Sequence, residues 1–168
     1  MLYLKSFIYT VLTVFLLTSF SFAYEDHLQY EKGYYYVLIK KGNFKSVNAK
    51  LVEISHKYGW DVVHTLNIDK TLNLKIPYKT HLLCKKSRLE HGYSYFKAIG
   101  ILAPCRIAIY REGKYIKIAT EDLMEMAKRF QPEDKEFFNC IRRVQNELLD
   151  ILNDTANEFE RKKLIPQY

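Results

Sequence analysis

The stretch Ile101–Asp122, ILAPCRIAIYREGKYIKIATED, decides the fold of this protein. Two runs rich in β-branched and aromatic residues flank an EGK turn, where Gly113 can adopt the positive φ that a tight hairpin needs. Side chains two apart on a strand share a face, so Cys105, Ile107 and Ile109 should lie together in the core. The stretch predicts a β-hairpin whose first strand is central in a sheet and begins at a cysteine.

Upstream of this hairpin, strand patterns alternate with helix patterns. A first strand, YYYVLIKK at Tyr34–Lys41, precedes an amphipathic helix that Asn43 can cap. WDVVHTLNI and YKTHLLC are predicted to be two further strands, with a second helix beginning near Lys86. The order predicts an α+β fold, a two-layer sandwich with a sheet of roughly five strands and helices on one face.

The C-terminal segment from Glu133 to Lys163 predicts one long helix with a heptad-like apolar seam. About 30 residues at a rise of 1.5 Å give a rod of roughly 45 Å, longer than one side of a domain this small. The seam either covers the chain's own domain or docks on a second subunit or partner. We expect docking, and the candidate partner surface is formed by Phe137, Ile141, Val144, Leu148, Ile151 and Phe159.

The segment from Asn43 to Phe130 resembles the domain of unknown function 302 (DUF302) family of small α+β proteins. The matching features are a helix with the spacing F…V…L…I that leads into GW-V, the strand PYKTHLLC, and the hairpin GILAPCRIAIYREG. In that hairpin Ala103 and Pro104 stand where the family has Leu and Pro. The resemblance places the two cysteine positions of the family at Cys84 and Cys105. It implies the fold and a tendency to form dimers, without an assigned chemistry.

The N-terminal 23 residues are predicted to be a cleaved signal peptide, with Lys5 before an apolar run and small residues at Ser21 and Ala23. An uncleaved anchor is the alternative, because the run approaches the roughly 18 residues that a spanning helix needs. Cleavage would lower the net charge from +7 to +6, since Lys5 is the segment's only charged residue. Cleavage would also leave a mature protein without a stable transmembrane span, and we expect this protein in the periplasm or outside the cell. The expected units are 1–23 (signal peptide), 24–131 (α+β domain) and 132–168 (C-terminal amphipathic helical extension).

Cys84 and Cys105, at the ends of two predicted strands, form the candidate thiol site. Four interpretations stay open: core packing, a structural disulfide, a working dithiol or soft-metal site, and one reactive thiol. Cys84 is the better nucleophile of the two, because Lys85, Lys86 and a helix start follow it. Cys140, on the last helix, is expected to pack or to bridge two chains.

The histidines carry a weaker signal than the cysteines. His64, two residues after Val62, is expected on an apolar strand face as a core histidine. His81 should face away from Cys84, which argues against a metal pair between these two residues.

The sequence contains no recognisable catalytic constellation, cofactor loop or metal-ligand spacing, so no catalytic residue, metal or cofactor is assigned. The basic residues are scattered, and export would remove nucleic acid as a partner. We therefore expect a non-catalytic binding or accessory module of the cell envelope, a homodimer that contacts an envelope protein or a small ligand. The alternative is a thiol-based redox, sulfur-handling or soft-metal carrier protein that uses Cys84 and Cys105.

Overall fold

The computed structural model describes residues 26–130 and 134–160, so the predicted signal peptide at 1–23 lies outside the described residues. A six-stranded sheet has the order β1-β2-β6-β5-β4-β3, with every neighbouring pair antiparallel. The strands are β1 (Gln29–Glu31), β2 (Tyr34–Ile39), β3 (Asp61–Asn67), β4 (Tyr78–Cys84), β5 (Cys105–Glu112) and β6 (Tyr115–Glu121). The predicted α+β class is confirmed, with one short strand more than expected.

The helices connect these strands and then cross one face of the sheet. They are α1 (Phe44–Lys57), α2 (Ile68–Thr71), α3 (Lys86–Tyr95), α4 (Leu123–Lys128) and α5 (Lys135–Glu160), with a 3₁₀ turn at Lys97–Ile101. The side-chain oxygen of Asn43 accepts a hydrogen bond from the Ser46 amide at 2.9 Å, as the capping signal predicts. Local capping chemistry therefore sets the start of α1.

The hairpin of β5 and β6 forms the middle of the sheet. β5 lies between β6 and β4, and Ile109 stands opposite Ile118. Ile107 and Ile109 are fully buried, and Gly113 has a φ of 57° in the turn. The prediction of a central strand with these two isoleucines in the core is confirmed.

The apolar seam of α5 lies in the chain's own core, which corrects the expectation of a free partner surface. Phe137, Leu148 and Ile151 are fully buried, Ile141 and Val144 nearly so, and Phe159 is half-buried against the same core. The helix packs on α1, α3, α4 and β2. Of the two alternatives, the structure has the one in which the helix covers its own domain.

The physical reason is that the other helices leave much of the sheet uncovered. The four-residue helix α2 buries no side chain, and α3 buries only Gly92. The six-residue helix α4 buries Leu123 and Ala127. Only α1 and the 26-residue α5 are long enough to cover the isoleucines of β5 and β6. A boundary at residue 131/132 therefore does not separate two cores.

The two faces of the sheet differ in what covers them. One face carries most of the buried apolar side chains of β2, β4, β5 and β6, which pack on α1 and α5. Side chains of the opposite face, such as Tyr36, Leu82 and Tyr110, are half-buried and do not join the core that α1 and α5 share. None of the helices within residues 26–130 and 134–160 is long and apolar enough to span a bilayer.

Candidate functional site

The register of β4 and β5 does not place the two cysteines of the predicted thiol site directly opposite each other. Leu83 stands directly opposite Cys105, so these two side chains share the helix-covered face. Cys84 is the next residue along β4, and alternation directs its side chain to the other face. Consistent with this, Leu83 and Cys105 are buried while Cys84 is only partly buried. All three cysteines are free, so the structure contains no disulfide.

A small cavity lies where β4 ends and brings the predicted site residues close to a third thiol. It has a volume of about 40 Å³, and Cys84, Cys105 and Cys140 all contribute to its lining. Aliphatic and aromatic side chains form most of the remaining wall, including Trp60 and Ile99. The sequence did not connect Cys140 with the other two cysteines, because it lies on α5.

Burial disfavours the thiolate form of two of the three cysteines around this cavity. Burial raises the pKa of Cys105 to about 12, with a further rise from the nearby Glu121. Burial also raises the pKa of Cys140. The thiolate is the nucleophile and the metal ligand, so the raised pKa values disfavour the reactive form of Cys105 and Cys140. Within residues 26–130 and 134–160, no group of three or more His, Cys, Asp or Glu side chains is placed to hold a metal ion.

Glu147 of α5 is a hydrogen-bonding hub beside this cavity. It accepts hydrogen bonds from Trp60 Nε1 at 3.0 Å, from Lys85 Nζ at 3.0 Å, and from the guanidinium of Arg88. Burial alone would raise the pKa of Glu147, but the hydrogen bonds and charges of Arg88 and Lys85 outweigh it and lower the pKa. Lys85 also donates to the Tyr58 carbonyl oxygen at 2.8 Å.

This hub engages one of the two lysines that follow Cys84 in the sequence. The expected activation depended on the positive charges of Lys85 and Lys86. Lys85 and Arg88 share the single carboxylate of Glu147, and Lys86 lies 3.6 Å from the exposed Glu90 carboxylate. Both lysines therefore have carboxylate partners in the folded chain.

The core histidine is His81 rather than His64. His81 is 3 % exposed, with Nε2 2.8 Å from Asn48 Oδ1 and Nδ1 2.9 Å from Thr65 Oγ1. The Asn48 oxygen can only accept, so Nε2 carries the proton and Nδ1 accepts from the threonine hydroxyl. His64 is exposed, because a bulge after Val62 shifts the alternation of β3 by one residue.

The sheet face that the helices leave open has a surface of a different kind, which we call the tyrosine face. The register places five tyrosines on it: Tyr34, Tyr36, Tyr78, Tyr110 and Tyr115. The rings of Tyr78 and Tyr110 have centroids 4.9 Å apart, and those of Tyr34 and Tyr36 are 5.7 Å apart. Two pairs of neighbouring rings thus contact one another, and the five tyrosines give this face a half-buried aromatic layer.

Lys117 of β6 lies beneath this layer and is only 4 % exposed. Its ammonium is 4.0 Å from the ring centroid of Tyr36, and it donates to the Tyr34 hydroxyl at 3.3 Å. The carboxylate of Glu112 lies 3.5 Å away and that of Glu31 4.0 Å away. The charge is therefore paired, and the tyrosine rings are held around it by cation–π contacts.

A second charged pair marks the other end of the tyrosine face. Arg106 Nε donates to Glu121 Oε2 at 2.7 Å, and a shallow depression beside them is also lined by Tyr34 and Thr80. Burial raises the pKa of Glu121 although Arg106 acts in the opposite direction. The tyrosine face thus presents charges of both signs around an aromatic centre.

Comparison with known proteins identifies the fold but no activity. No family model matches the sequence, and no curated protein is significantly similar to it. A crystal structure of an uncharacterized conserved DUF302 protein from Bacillus stearothermophilus superimposes with a TM-score of 0.68 at 16 % identity. The match covers 75 % of this chain and 99 % of that chain. The chain has a DUF302-like fold. The resemblance inferred from the hairpin and the YKTHLLC strand is confirmed at the level of fold.

Proposed function

We propose that this DUF302-like protein is an exported, non-catalytic binding or accessory module of the cell envelope that forms a homodimer through its tyrosine face. The observation that carries this proposal is the aromatic layer on the sheet face that α1 and α5 leave open. Tyrosine is enriched in protein interfaces, because it combines a large apolar ring with a hydroxyl that can remain hydrogen-bonded.

The size of the tyrosine face fits a dimer of moderate affinity. Six strands about 4.8 Å apart and about 20 Å long give roughly 600 Å² per protomer. A standard specific interface buries about 800 Å² per partner, so the predicted interface lies near the lower limit. Charges of both signs, on Arg106 and Glu112 for example, allow the face to complement a second copy of itself.

The thiol-carrier alternative is disfavoured by the environment of the cysteines. Cys105 and Cys140 are buried with raised pKa values, and Lys85 is occupied by Glu147. A dithiol carrier needs at least one stabilised thiolate and a partner sulfur on the same side of the sheet. Cys105, with its raised pKa, does not meet the first condition, and no disulfide joins it to Cys84.

A charge placed in the middle of the tyrosine face tests the dimer. Ala108 is a small, half-buried residue of this face, between Thr80 and Ala119 in the register. We expect Ala108→Arg to sediment as a monomer at concentrations at which the wild-type protein is a dimer. The same change at the exposed Ala98, outside the sheet, is the matched control and should leave the dimer intact. A wild-type protein that stays monomeric at up to about 100 µM would refute the interface. Its dissociation constant would then exceed that of typical specific complexes of this size.

Export is tested separately from dimer formation. Protein recovered from the envelope of the source cell should have an intact mass that begins at Tyr24, as the small residues Ser21 and Ala23 predict. An intact mass that includes residues 1–23 would mean that the chain is not cleaved, and the proposal of an exported module would give way to that of a membrane-anchored one.

A further inference from the structure

The connection between α2 and β4 exposes an unusual concentration of aliphatic surface. Nine large hydrophobic side chains are exposed in the described residues, and three of them fall within the five positions Leu72–Ile76. Leu72 is 63 % exposed, Ile76 42 % and Leu74 38 %. We call this segment the aliphatic loop. Clustered exposed aliphatic side chains on a soluble domain mark a surface that is covered by something else.

Backbone hydrogen bonds hold the aliphatic loop in this arrangement. The Leu72 amide donates to the Ile68 carbonyl oxygen at 2.9 Å, and the Leu74 amide donates to the Asp69 carbonyl oxygen at 2.8 Å. Between them, Asn73 has a φ of 51°, the left-handed conformation that asparagine tolerates better than most residues. The exposure of the two leucines is therefore a property of a formed turn.

Basic residues lie within and beside the aliphatic loop along the sequence. Lys75 lies between Leu74 and Ile76 in the sequence, and Lys70 and Lys79 flank the segment on either side. Within residues 26–130 and 134–160, none of these three lysines forms an ion pair. Asp69 is the only acidic residue between positions 64 and 79, and the whole chain carries a net charge of +7.

We propose that the aliphatic loop docks the protein on an anionic bilayer surface. Leu72, Leu74 and Ile76 would enter the boundary between headgroups and acyl chains, and the three lysines would meet the lipid phosphates. The charge complementarity favours this occupant over a second copy of the chain, because two copies would bring their lysines together. The aliphatic loop precedes β4 and Ala108 lies within β5, so this inference uses different residues from the proposed dimer and does not rest on it.

The test measures binding of the chain that begins at Tyr24 to vesicles of phosphatidylglycerol and phosphatidylcholine, and to vesicles of phosphatidylcholine alone. The variant Leu72→Ser/Leu74→Ser/Ile76→Ser should bind the anionic vesicles at least about tenfold more weakly than the wild-type protein, because the apolar contribution is lost. Ile101→Ser removes an equally exposed side chain elsewhere and is the matched control, expected within twofold of wild type. Starting every chain at Tyr24 removes the apolar run of residues 1–23, which would otherwise bind vesicles in all of them.

A charge variant distinguishes the electrostatic part of the interaction. Lys75→Gln/Lys79→Gln should weaken binding to the anionic vesicles by about tenfold and reduce its sensitivity to salt, with little effect on neutral vesicles. Binding of the triple-serine variant within twofold of wild type would overturn the proposal. It would equally be overturned if the triple-serine change abolished the dimer instead of vesicle binding, since the loop would then contact a second copy. Ala108→Arg should retain vesicle binding, so failure of the dimer and failure of membrane docking are distinguishable.

Discussion

The carboxylate of Glu147 accepts a hydrogen bond from the indole Nε1 of Trp60 at 3.0 Å, across 87 positions of sequence. Trp60 is 2 % exposed and immediately precedes β3, whereas Glu147 lies in the middle of α5. The same carboxylate binds Lys85 and Arg88 at the junction of β4 and α3. One side chain of the last helix therefore joins two separate parts of the α+β domain.

Removal of α5 should prevent folding. A chain that ends at Phe130 loses Phe137, Leu148 and Ile151, which are fully buried, together with the Glu147 hub. Each large apolar side chain stabilises the fold by about 1.5–3 kcal/mol, so their sum approaches the 5–15 kcal/mol of a typical domain. Thermal unfolding followed by circular dichroism checks this, with a chain that ends at Glu160 as the control. A cooperative transition in the shorter chain would show that α5 is a dispensable extension.

Glu147→Gln should destabilise the protein at pH 7 by about 2 kcal/mol, because it leaves Lys85 and Arg88 partly buried without their counter-charge. The pKa of Glu147 is lowered in the folded state, so its contribution is present above the unfolded pKa and is lost as the pH falls. The difference between variant and wild type should therefore shrink in acid. Urea unfolding at several pH values measures it, with the exposed Glu125→Gln as the control. A pH-independent difference would rule out the charge as its origin.

His81 should make the protein less stable in mild acid. Burial, with a contribution from the charge of Lys79, lowers the pKa of His81 below its ordinary 6.5. A group with a lowered folded pKa binds its proton more readily in the unfolded chain, so stability is lost as the pH falls below about 6.5. His81→Gln should flatten this part of the stability profile, whereas His56→Gln, at an exposed position of α1, should not. An unchanged profile in the His81 variant would assign the acid sensitivity to other groups.

Ile107→Ala should cost about 2–4 kcal/mol of unfolding free energy, through lost burial and the cavity that remains. Ile107 is fully buried on an inner strand, opposite His81 on one side and Thr120 on the other. Denaturant titration measures the loss, and Ile101→Ala, at a 62 % exposed position, should change stability by less than about 0.5 kcal/mol. A loss below about 1 kcal/mol at Ile107 would contradict its place in the core.

Local signals were sufficient to predict most of the elements of this fold. The cap at Asn43, the turn at Gly113 and the period-two pattern of Cys105, Ile107 and Ile109 each depend on residues within a few positions of one another. The cap depends on a side-chain oxygen that accepts a hydrogen bond from a nearby backbone amide, and the strand pattern depends on the alternation of side chains. Both causes act between residues that are close in the sequence. For that reason the hairpin, α1 and the α+β class could be predicted from the sequence.

The register of the strands could be assigned only from the tertiary structure. The bulge after Val62 moved His64 to the open face, whereas His81, opposite Ile107, lies on the helix-covered face. The residue opposite Cys105 is Leu83 rather than Cys84, which the positions of the two cysteines at predicted strand ends did not reveal. A register shift of one residue moves every following side chain of the strand to the other face of the sheet. No local sequence pattern predicts where such a shift occurs.

The sequence by itself determined five of the six strands of the described sheet, the helices, the buried face of the central hairpin and the amphipathic character of the last helix. Only the tertiary structure decided where that helix lies, because a seam of Phe137, Leu148 and Ile151 is equally apolar whether a partner or the chain's own sheet covers it. Two features placed α5 on the chain's own sheet. The helices α2 and α4 are too short to cover the sheet, and Glu147 of α5 contacts Trp60. Burial and long-range hydrogen bonds depend on which surfaces meet in space, and the spacing of residues along the chain does not specify that.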